Sequence, residues 1–323
     1  MPFKIGIVGT GYAAEKRAEA IKSDFRTELV AVSGHSPQKL QEFCQTHQAQ
    51  AVSSWNELVN LTQLDLIFIC TTNESCGAIA LAAIQADKHV VVEYPLSLSA
   101  EVAEEAIALA QAKQKLLHVE HIEIIGGLHL SLKQYLPQIG KVFHASYTTI
   151  TPQHPVEPSW KYHRTQFGFP LSAALSRIHR LTDLFGKVKS VTCRDRYWDL
   201  DDSDYFTACF CQAQLNFCNG ITADVTYGKG DVFWQGDRTL EVFGEQGKIV
   251  FKGQKGSLIQ GDREIEIPVV SRKGLFAQDT AMVLDYLCDQ QPLYIQPSAS
   301  LYALQVANAA QQAALTNSII YLD

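Results

Sequence analysis

Residues 3–14 read FKIGIVGTGYAA: a short β-branched run ends in Gly9-Thr10-Gly11-Tyr12-Ala13-Ala14 and passes straight into EKRAEAIK. A GxGxxA set between a strand and a helix is the context that dinucleotide binding requires. The glycines allow a tight turn and close backbone approach to a pyrophosphate, and the helix N–H groups receive its charge. The same letters alone are only a glycine turn, so the chain that follows decides. FKIGIVG, ELVAVS, DLIFIC, HVVVE and KLLHV read as buried strands, with a weaker one near Ala51. Between them residues 12–22, 37–47, 55–61, 75–86 and 100–113 suit helices, the second capped by Ser36 with Pro37 at its first position. Continuous apolar strands alternating with helices predict an α/β, doubly wound Rossmann domain over residues 1–121 with a parallel sheet covered on both faces.

After residue 121 the rhythm changes. A helix fits 127–136, a strand 141–150, and the proline-rich TPQHPVEPSWKYHRTQFGFP is irregular. A helix over 171–185 precedes the longer alternating runs KSVTCRDRYW, YFTACFCQAQLNF, GITADVTYG, DRTLEVFG, GKIVFKG and REIEIPV, and helices close the chain at 278–288 and 298–316. Short turns such as CNG and EQG predict hairpins, hence an α+β domain over 122–323 with a large, mostly antiparallel sheet. No internal repeat is visible.

A length of 323 residues suits two domains, and 46% hydrophobic with 19% charged residues describes a packed globular chain. The formal net charge of −7 opposes broad binding to nucleic acid or to an anionic membrane, so the expected partner is a small molecule. The apolar run before Gly9 is too short for a signal or spanning segment. The eight cysteines form no CxxC and several sit in apolar runs, which reads as reduced thiols of a cytoplasmic protein. Cys209 and Cys211 share one strand face, where packing outweighs a metal or disulfide.

Cofactor type turns on the end of the second strand. Ser33, Gly34, His35 and Ser36 stand where NAD-preferring sites commonly carry a carboxylate for the ribose hydroxyls. A carboxylate repels a 2′-phosphate, whereas hydroxyls and imidazole accept one, so NADPH is expected over NADH. Glu93 and Tyr94 end the fifth strand, where ligands of open α/β sheets gather. In HVEHIE, His118 and Glu120 would face opposite to His121 and Glu123, so no metal is expected there, and His121 is placed to meet substrate. The loop SWKYHR, with Tyr162, combines aromatics and cations that suit an acidic conjugated ligand or plain domain packing. Arg177 and Arg180 share one helical face and suit carboxylate pairing.

KIGIVGTGYAA, FICTTN and KHVVVEYPLSLS resemble the glucose–fructose oxidoreductase and inositol dehydrogenase (Gfo/Idh/MocA) superfamily. The resemblance implies that Gly9, Thr10, Gly11, Tyr12, Ala13, Thr71, Thr72, Asn73, Glu93 and Tyr94 border the nicotinamide cofactor. Two departures matter. Tyr94 replaces the lysine of the usual EKP motif, and in SRIHRLTDLFG Ser176 and Arg180 occupy the positions of an Asp and His that act on sugar hydroxyls. Serine and arginine are poor bases for an alcohol, so polyol oxidation loses weight. VEYPL, LLHVEHIE, QFGFPL, ALSRI, TDLFG, YGKG and RKGLF are similar to the cyanobacterial-type biliverdin reductases of that superfamily. The implied activity is NADPH-dependent reduction of a linear tetrapyrrole, biliverdin IXα, to bilirubin by hydride transfer to its central methine carbon. Arg177, Glu93 and Tyr94 are then the expected catalytic residues, with His121, Tyr162, Arg177 and Arg180 on the substrate. Another NAD(P)H-dependent carbonyl or dihydrodiol oxidoreductase, or a non-catalytic nucleotide sensor, are the alternatives.

Overall fold

The structure is a computed structural model that describes residues 2–200 and 203–322; the outermost residues of the two expected domains, Met1 and Asp323, lie outside them. The chain divides into two compact units, Met1–Ile122 with Lys273–Leu301, and Glu123–Arg272 with Tyr302–Asp323. The sequence expectation drew one boundary after residue 121; the division also assigns the later segment Lys273–Leu301 to the first unit.

The first unit begins β1 (Phe3–Val8), α1 (Tyr12–Lys22), β2 (Thr27–Ser33), α2 (Pro37–His47), β3 (Gln50–Val52), α3 (Trp55–Val59) and β4 (Leu66–Ile69). It continues α4 (Asn73–Gln85), β5 (His89–Glu93), α5 (Ala100–Ala112) and β6 (Leu117–Glu120). Its six strands are parallel in the order β3-β2-β1-β4-β5-β6, so the chain reverses direction of growth between β1 and β4, and the strand ends beside that reversal form a ligand crevice in such sheets. Ile5, Ile7, Val32, Leu66, Phe68 and Val91 are buried at its centre. Residues Ala14, Ala18 and Ile21 bring the apolar stripe of α1 onto them.

After α6 (Ile122–Ile125), the second unit runs α7 (Gly127–Tyr135), β7 (Val142–Pro152), α8 (Arg164–Phe167), α9 (Pro170–Ala173), α10 (Ser176–Phe185), β8 (Val188–Asp199), β9 (Phe206–Phe217) and β10 (Thr222–Gly230). Then come β11 (Asp237–Gly244), β12 (Gly247–Lys252), β13 (Lys255–Gln260) and β14 (Arg263–Ile267). The helix expected over 171–185 is two, because the backbone leaves helical geometry at Ala174 (φ −98°, ψ 35°). The chain then returns to the first unit with α11 (Leu275–Asp289), which starts after Gly274 at φ +88° and sends Val283 into the first core. A long helix α12 (Pro297–Thr316) and β15 (Ile320–Tyr321) finish it.

The second unit's nine strands run β14-β13-β12-β11-β7-β10-β9-β8-β15, antiparallel except for the β7–β10 pair. This register sets Thr149 of β7 between Tyr227 of β10 and Arg238 of β11, and Tyr147 beside Leu240 two residues away on the same face. All eight cysteines are free thiols; Cys209 and Cys211 are both buried, and Cys211 Sγ lies 3.4 Å from Cys193 Sγ on the next strand. No helix among the described residues is long and apolar enough to cross a membrane.

Candidate active site

The turn between β1 and α1 is shaped by close backbone approach. Gly9 has φ +122°, and a Cβ there would come within 2.0 Å of the Cys70 carbonyl oxygen, so only glycine fits. Its N–H donates to the Ser33 carbonyl at 2.8 Å, which ties the turn to the end of β2. Gly11 is the N-cap of α1 with no side-chain cap, and a Cβ built on it meets nothing within 4 Å. The open space above an uncapped helix N-terminus is a cradle for an anionic group. Beside it the buried Ser33 Oγ has no hydrogen-bond partner among the described residues, and His35 is exposed. An orphaned hydroxyl next to an open helix terminus fits a phosphorylated dinucleotide. Thr72 caps α4, its hydroxyl 3.2 Å from Ser75 Oγ, and Asn73 is buried in the first turn.

At the ends of β5 and β6 lies a closed set of charged groups. Arg17 of α1 is fully buried; its Nε donates to Glu93 Oε1 at 2.8 Å and its Nη1 to Asp279 Oδ2 at 2.5 Å and Thr280 Oγ1 at 3.0 Å. Burial alone would lower its pKa, but Glu93 and Asp279 override that and hold it well above the usual value. Asp279 also receives the His118 Nε2 contact at 2.8 Å and the Tyr294 hydroxyl at 2.7 Å. Burial by itself would raise this carboxyl; Arg17 and His118 hold it below the carboxylate range. The Tyr294 oxygen in turn accepts the His121 N–H at 3.0 Å, and the His121 ring stacks on Tyr94 at 5.3 Å and 7°. Glu120, enclosed by the same groups, has its carboxyl pKa pushed well up by burial and by Glu93 and Asp279.

The second unit carries a different chemistry. The face of β7 and β11 and the start of α10 enclose a cavity of about 160 Å³ whose charged lining is Arg177, Arg180, Arg238, Arg272 and Glu123. Four arginines and one glutamate leave a net formal charge of +3. Arg177 donates from Nη1 to Ser176 Oγ at 2.9 Å and from Nε to Thr149 Oγ1 at 3.4 Å, with its guanidinium 5.9 Å from the Tyr227 ring centre. Arg180 is buried, bonded to Glu123 Oε2 at 3.0 Å and set over Tyr147.

The sequence-selected residues thus fall into separate groups. Gly9, Thr10, Gly11, Tyr12, Ala13, Ser33, Gly34, His35 and Ser36 cluster at the ends of β1 and β2, and Thr71, Thr72 and Asn73 follow β4. Glu93 and Tyr94 end β5, and Arg177 and Arg180 share one cavity. Two of the residues expected at the ligand have these neighbours within the protein. His121 is enclosed, with Nε2 on Ser300 Oγ at 2.8 Å and its face against Tyr94. Tyr162 packs 5.6 Å from Phe206 in an aromatic cluster with Phe167 and Tyr197 and is absent from the cavity lining. Among the described residues no three His, Cys, Asp or Glu side chains converge as a metal site. Sequence reasoning passed over Arg17, Asp279, Tyr294, Arg238 and Arg272. Arg17 was discoverable, since it interrupts the apolar stripe of Ala14, Ala18 and Ile21 on one helix. Asp279 and Tyr294 had no local signal.

Residues 3–121 match the model of the NAD-binding Rossmann fold of the GFO_IDH_MocA oxidoreductase family, and residues 136–322 match its C-terminal alpha/beta domain. The chain belongs to this family of oxidoreductases. It is similar to the biliverdin reductase of Synechocystis sp. PCC 6803, solved in complex with biliverdin and NADP+, at 50% identity over 97% of this chain and 99% of that one, with a TM-score of 0.96. Biliverdin reductase A of mouse and of human are each 29% identical over 59% of this chain, and the match spans 60% of their length. An oxidoreductase from Desulfitobacterium hafniense at 17% identity and a TM-score of 0.84 shares the fold.

Proposed function

We propose that this chain reduces biliverdin IXα to bilirubin with NADPH. The observation that carries this reading is the likeness along nearly the whole chain to the Synechocystis enzyme at 50% identity. When bound, NADPH supplies the hydride that adds to the central methine carbon of the bilin, while a pyrrole nitrogen takes one proton from solvent. The glycine turn and the α1 N-terminus hold the pyrophosphate, and Ser33, His35 and Ser36 accept the 2′-phosphate without a carboxylate to repel it. Because Glu93 is bonded to Arg17, its part is to orient the cofactor rather than to release a proton. Tyr94, stacked on His121, supplies a wall. Arg177 stabilises the negative charge that develops on the bilin as hydride arrives, acting from a fixed seat on Ser176 and Thr149. A guanidinium with a pKa above about 12 does not itself release a proton at neutral pH, so it orders the water that does. Arg180, locked to Glu123, shapes the cavity wall, and Tyr162 serves packing. Eight free thiols suit a reducing compartment, and a cytoplasmic location fits this reading.

The test is anaerobic mixing of the purified chain with biliverdin and NADPH, followed by absorbance. Equal consumption of both with formation of bilirubin is the expected result; no turnover with NADPH or NADH refutes the reading. NADH should turn over more slowly, and His35→Asp should lower the NADPH-to-NADH ratio of kcat/KM about tenfold or more by like-charge repulsion.

A further inference from the structure

Residues 155–162 cross the surface of the second unit between two pinned ends. Before them the Gln153 N–H donates to the Gly230 carbonyl at 3.2 Å, and the His154 ring meets the Phe233 carbonyl at 2.8 Å. After them His163 pairs with Tyr205, and the Arg164 N–H donates to the Asp204 carbonyl at 2.9 Å. In between, the residues are exposed apart from the half-buried Val156, Trp160 and Tyr162. Among the described residues one hydrogen bond ties this stretch to the sheet: Lys229 Nζ of β10 donates to the Lys161 carbonyl.

That tether is a buried side chain, with Nζ 3.2 Å, 4.5 Å and 5.3 Å from the ring centres of Phe167, Tyr162 and Phe206. Trp160 and Tyr227 pack on the same cluster, and Tyr227 is the ring 5.9 Å from the Arg177 guanidinium. The titratable groups around Lys229 supply no counter-charge. Burial pushes the Cys209 thiol of β9 up to about 12 and raises the Tyr162 and Tyr197 hydroxyls, while Lys161 repels. Further out, Asp231 acts on Tyr162, whereas Asp195 and Arg164, the latter paired with Asp199, act on Cys209 with opposite signs. Burial strips the ammonium of water, and one carbonyl and three rings replace only part of that shell, so the amine titrates at about 7. In an opened stretch the same amine meets water and titrates near about 10.4. Methionine fills such a cluster without burying a polar group; a lysine makes the packing of the stretch answer to protons.

We propose that residues 155–162 form a proton-linked strap, closed on the sheet while the Lys229 amine is uncharged and opened when that amine takes up a proton from solvent. Between the two titration points each unit of rising pH favours the closed strap by up to about tenfold. Below them both forms hold the proton and the dependence ends. The strap needs neither bilin nor cofactor, so its test is independent of the reductase reading.

Hydrogen exchange of the full chain, read by mass spectrometry over peptides spanning 155–164 and divided by the unstructured-peptide rate at each pH, gives the opening constant. The Tyr162 and His163 N–H groups, bonded within the turn at 2.8 Å and 3.3 Å, report it. Wild type is expected to open at least about tenfold less at pH 9 than at pH 7. Lys229→Met should open less than wild type at pH 7 and change less than about twofold between the two pH values. Lys229→Gln, which keeps a donor but no titrating amine, should be equally flat and carries the test if the methionine variant does not fold. Peptides from β9 report larger openings of the unit. Equal constants for wild type at both pH values overturn the strap, as does a folded variant that keeps the wild-type dependence. A pH effect of the same size over β9 also overturns it, since the proton would then be linked to unfolding of the whole unit.

Discussion

The first unit buries one arginine among acids, whereas the second gathers four arginines around one. Arg17 meets Glu93, Asp279 and Thr280 within hydrogen-bond distance and lies 5.4 Å and 5.1 Å from the Phe68 and Phe276 ring centres. Its charge is matched where it stands. The lining of the second unit's cavity carries a net formal charge of +3, with Arg238 and Arg272 open to solvent and the buried Arg180 paired with Glu123. A matched buried charge fixes positions; an unmatched charge beside a cavity waits for chemistry. In the function proposed above, the first unit supplies the frame and the second the electrostatic work.

The largest effect should come from breaking the matched side. Arg17→Met leaves Glu93 and Asp279 facing each other without their cation, and removing one partner of a buried pair costs about 3–5 kcal/mol. Urea unfolding of the variant measures it. Adding Asp279→Asn to the same chain should recover part of the loss, since the stranded carboxylate is then gone; a variant as stable as wild type would mean the network contributes no positioning.

On the unmatched side, Arg177→Ala is expected to lower kcat by about 10²–10³ while NADPH still binds, the usual loss when a fixed donor to developing charge is removed. Arg177→Lys should rescue poorly, because an ammonium cannot hold both Ser176 and the ligand as a planar fork does. Single-turnover NADPH oxidation with biliverdin decides it, and near-normal hydride transfer would move the role elsewhere in the cavity.

A third cation sharpens the comparison. Lys229 is buried with its Nζ 3.2 Å from the Phe167 ring centre and bonded to the Lys161 carbonyl, and among the described residues no carboxylate is bonded to it. Burial lowers its pKa to about 7, the opposite of the outcome at Arg17. An unfolded lysine titrates near about 10.4, so between these values the unfolded chain holds a proton that the folded chain has released. Stability therefore rises with pH across that window, by at most about 1.4 kcal/mol per pH unit. Urea unfolding at pH 7 and pH 9 should show the rise in wild type and its absence in Lys229→Met.

The smallest effect is expected at Tyr94. Its ring is positioned by stacking on His121, and the proposed reaction draws its proton from water ordered by Arg177, so Tyr94→Phe should keep kcat/KM within tenfold of wild type. Complete loss of turnover with both ligands still bound would identify the phenol as the proton source.

How much of this was legible beforehand follows the range of the interactions. The strand–turn–helix at residues 3–14 could be read because the GxGxxA spacing and the apolar run and helix on either side of it are adjacent in sequence, although the backbone that Gly9 approaches, at Cys70, is distant in the chain, and the parallel sheet followed from the continuous apolar strands. Arg177 and Arg180 were legible as one helical face. The break at Ala174 was not, because both pieces have helical composition.

By itself the sequence determined the order of elements, the class of each sheet and the dinucleotide turn, all of which depend on local periodicity and on residues near in the chain. Only the tertiary structure decided that Asp279, 262 residues from Arg17, closes the charge network of the first unit. Likewise only strand register set Arg238 opposite Thr149 and so beside Arg177. The physical reason is the same in both cases: a charge is matched or left unmatched by whatever the fold brings within a few ångströms, and that distance has no counterpart in sequence separation.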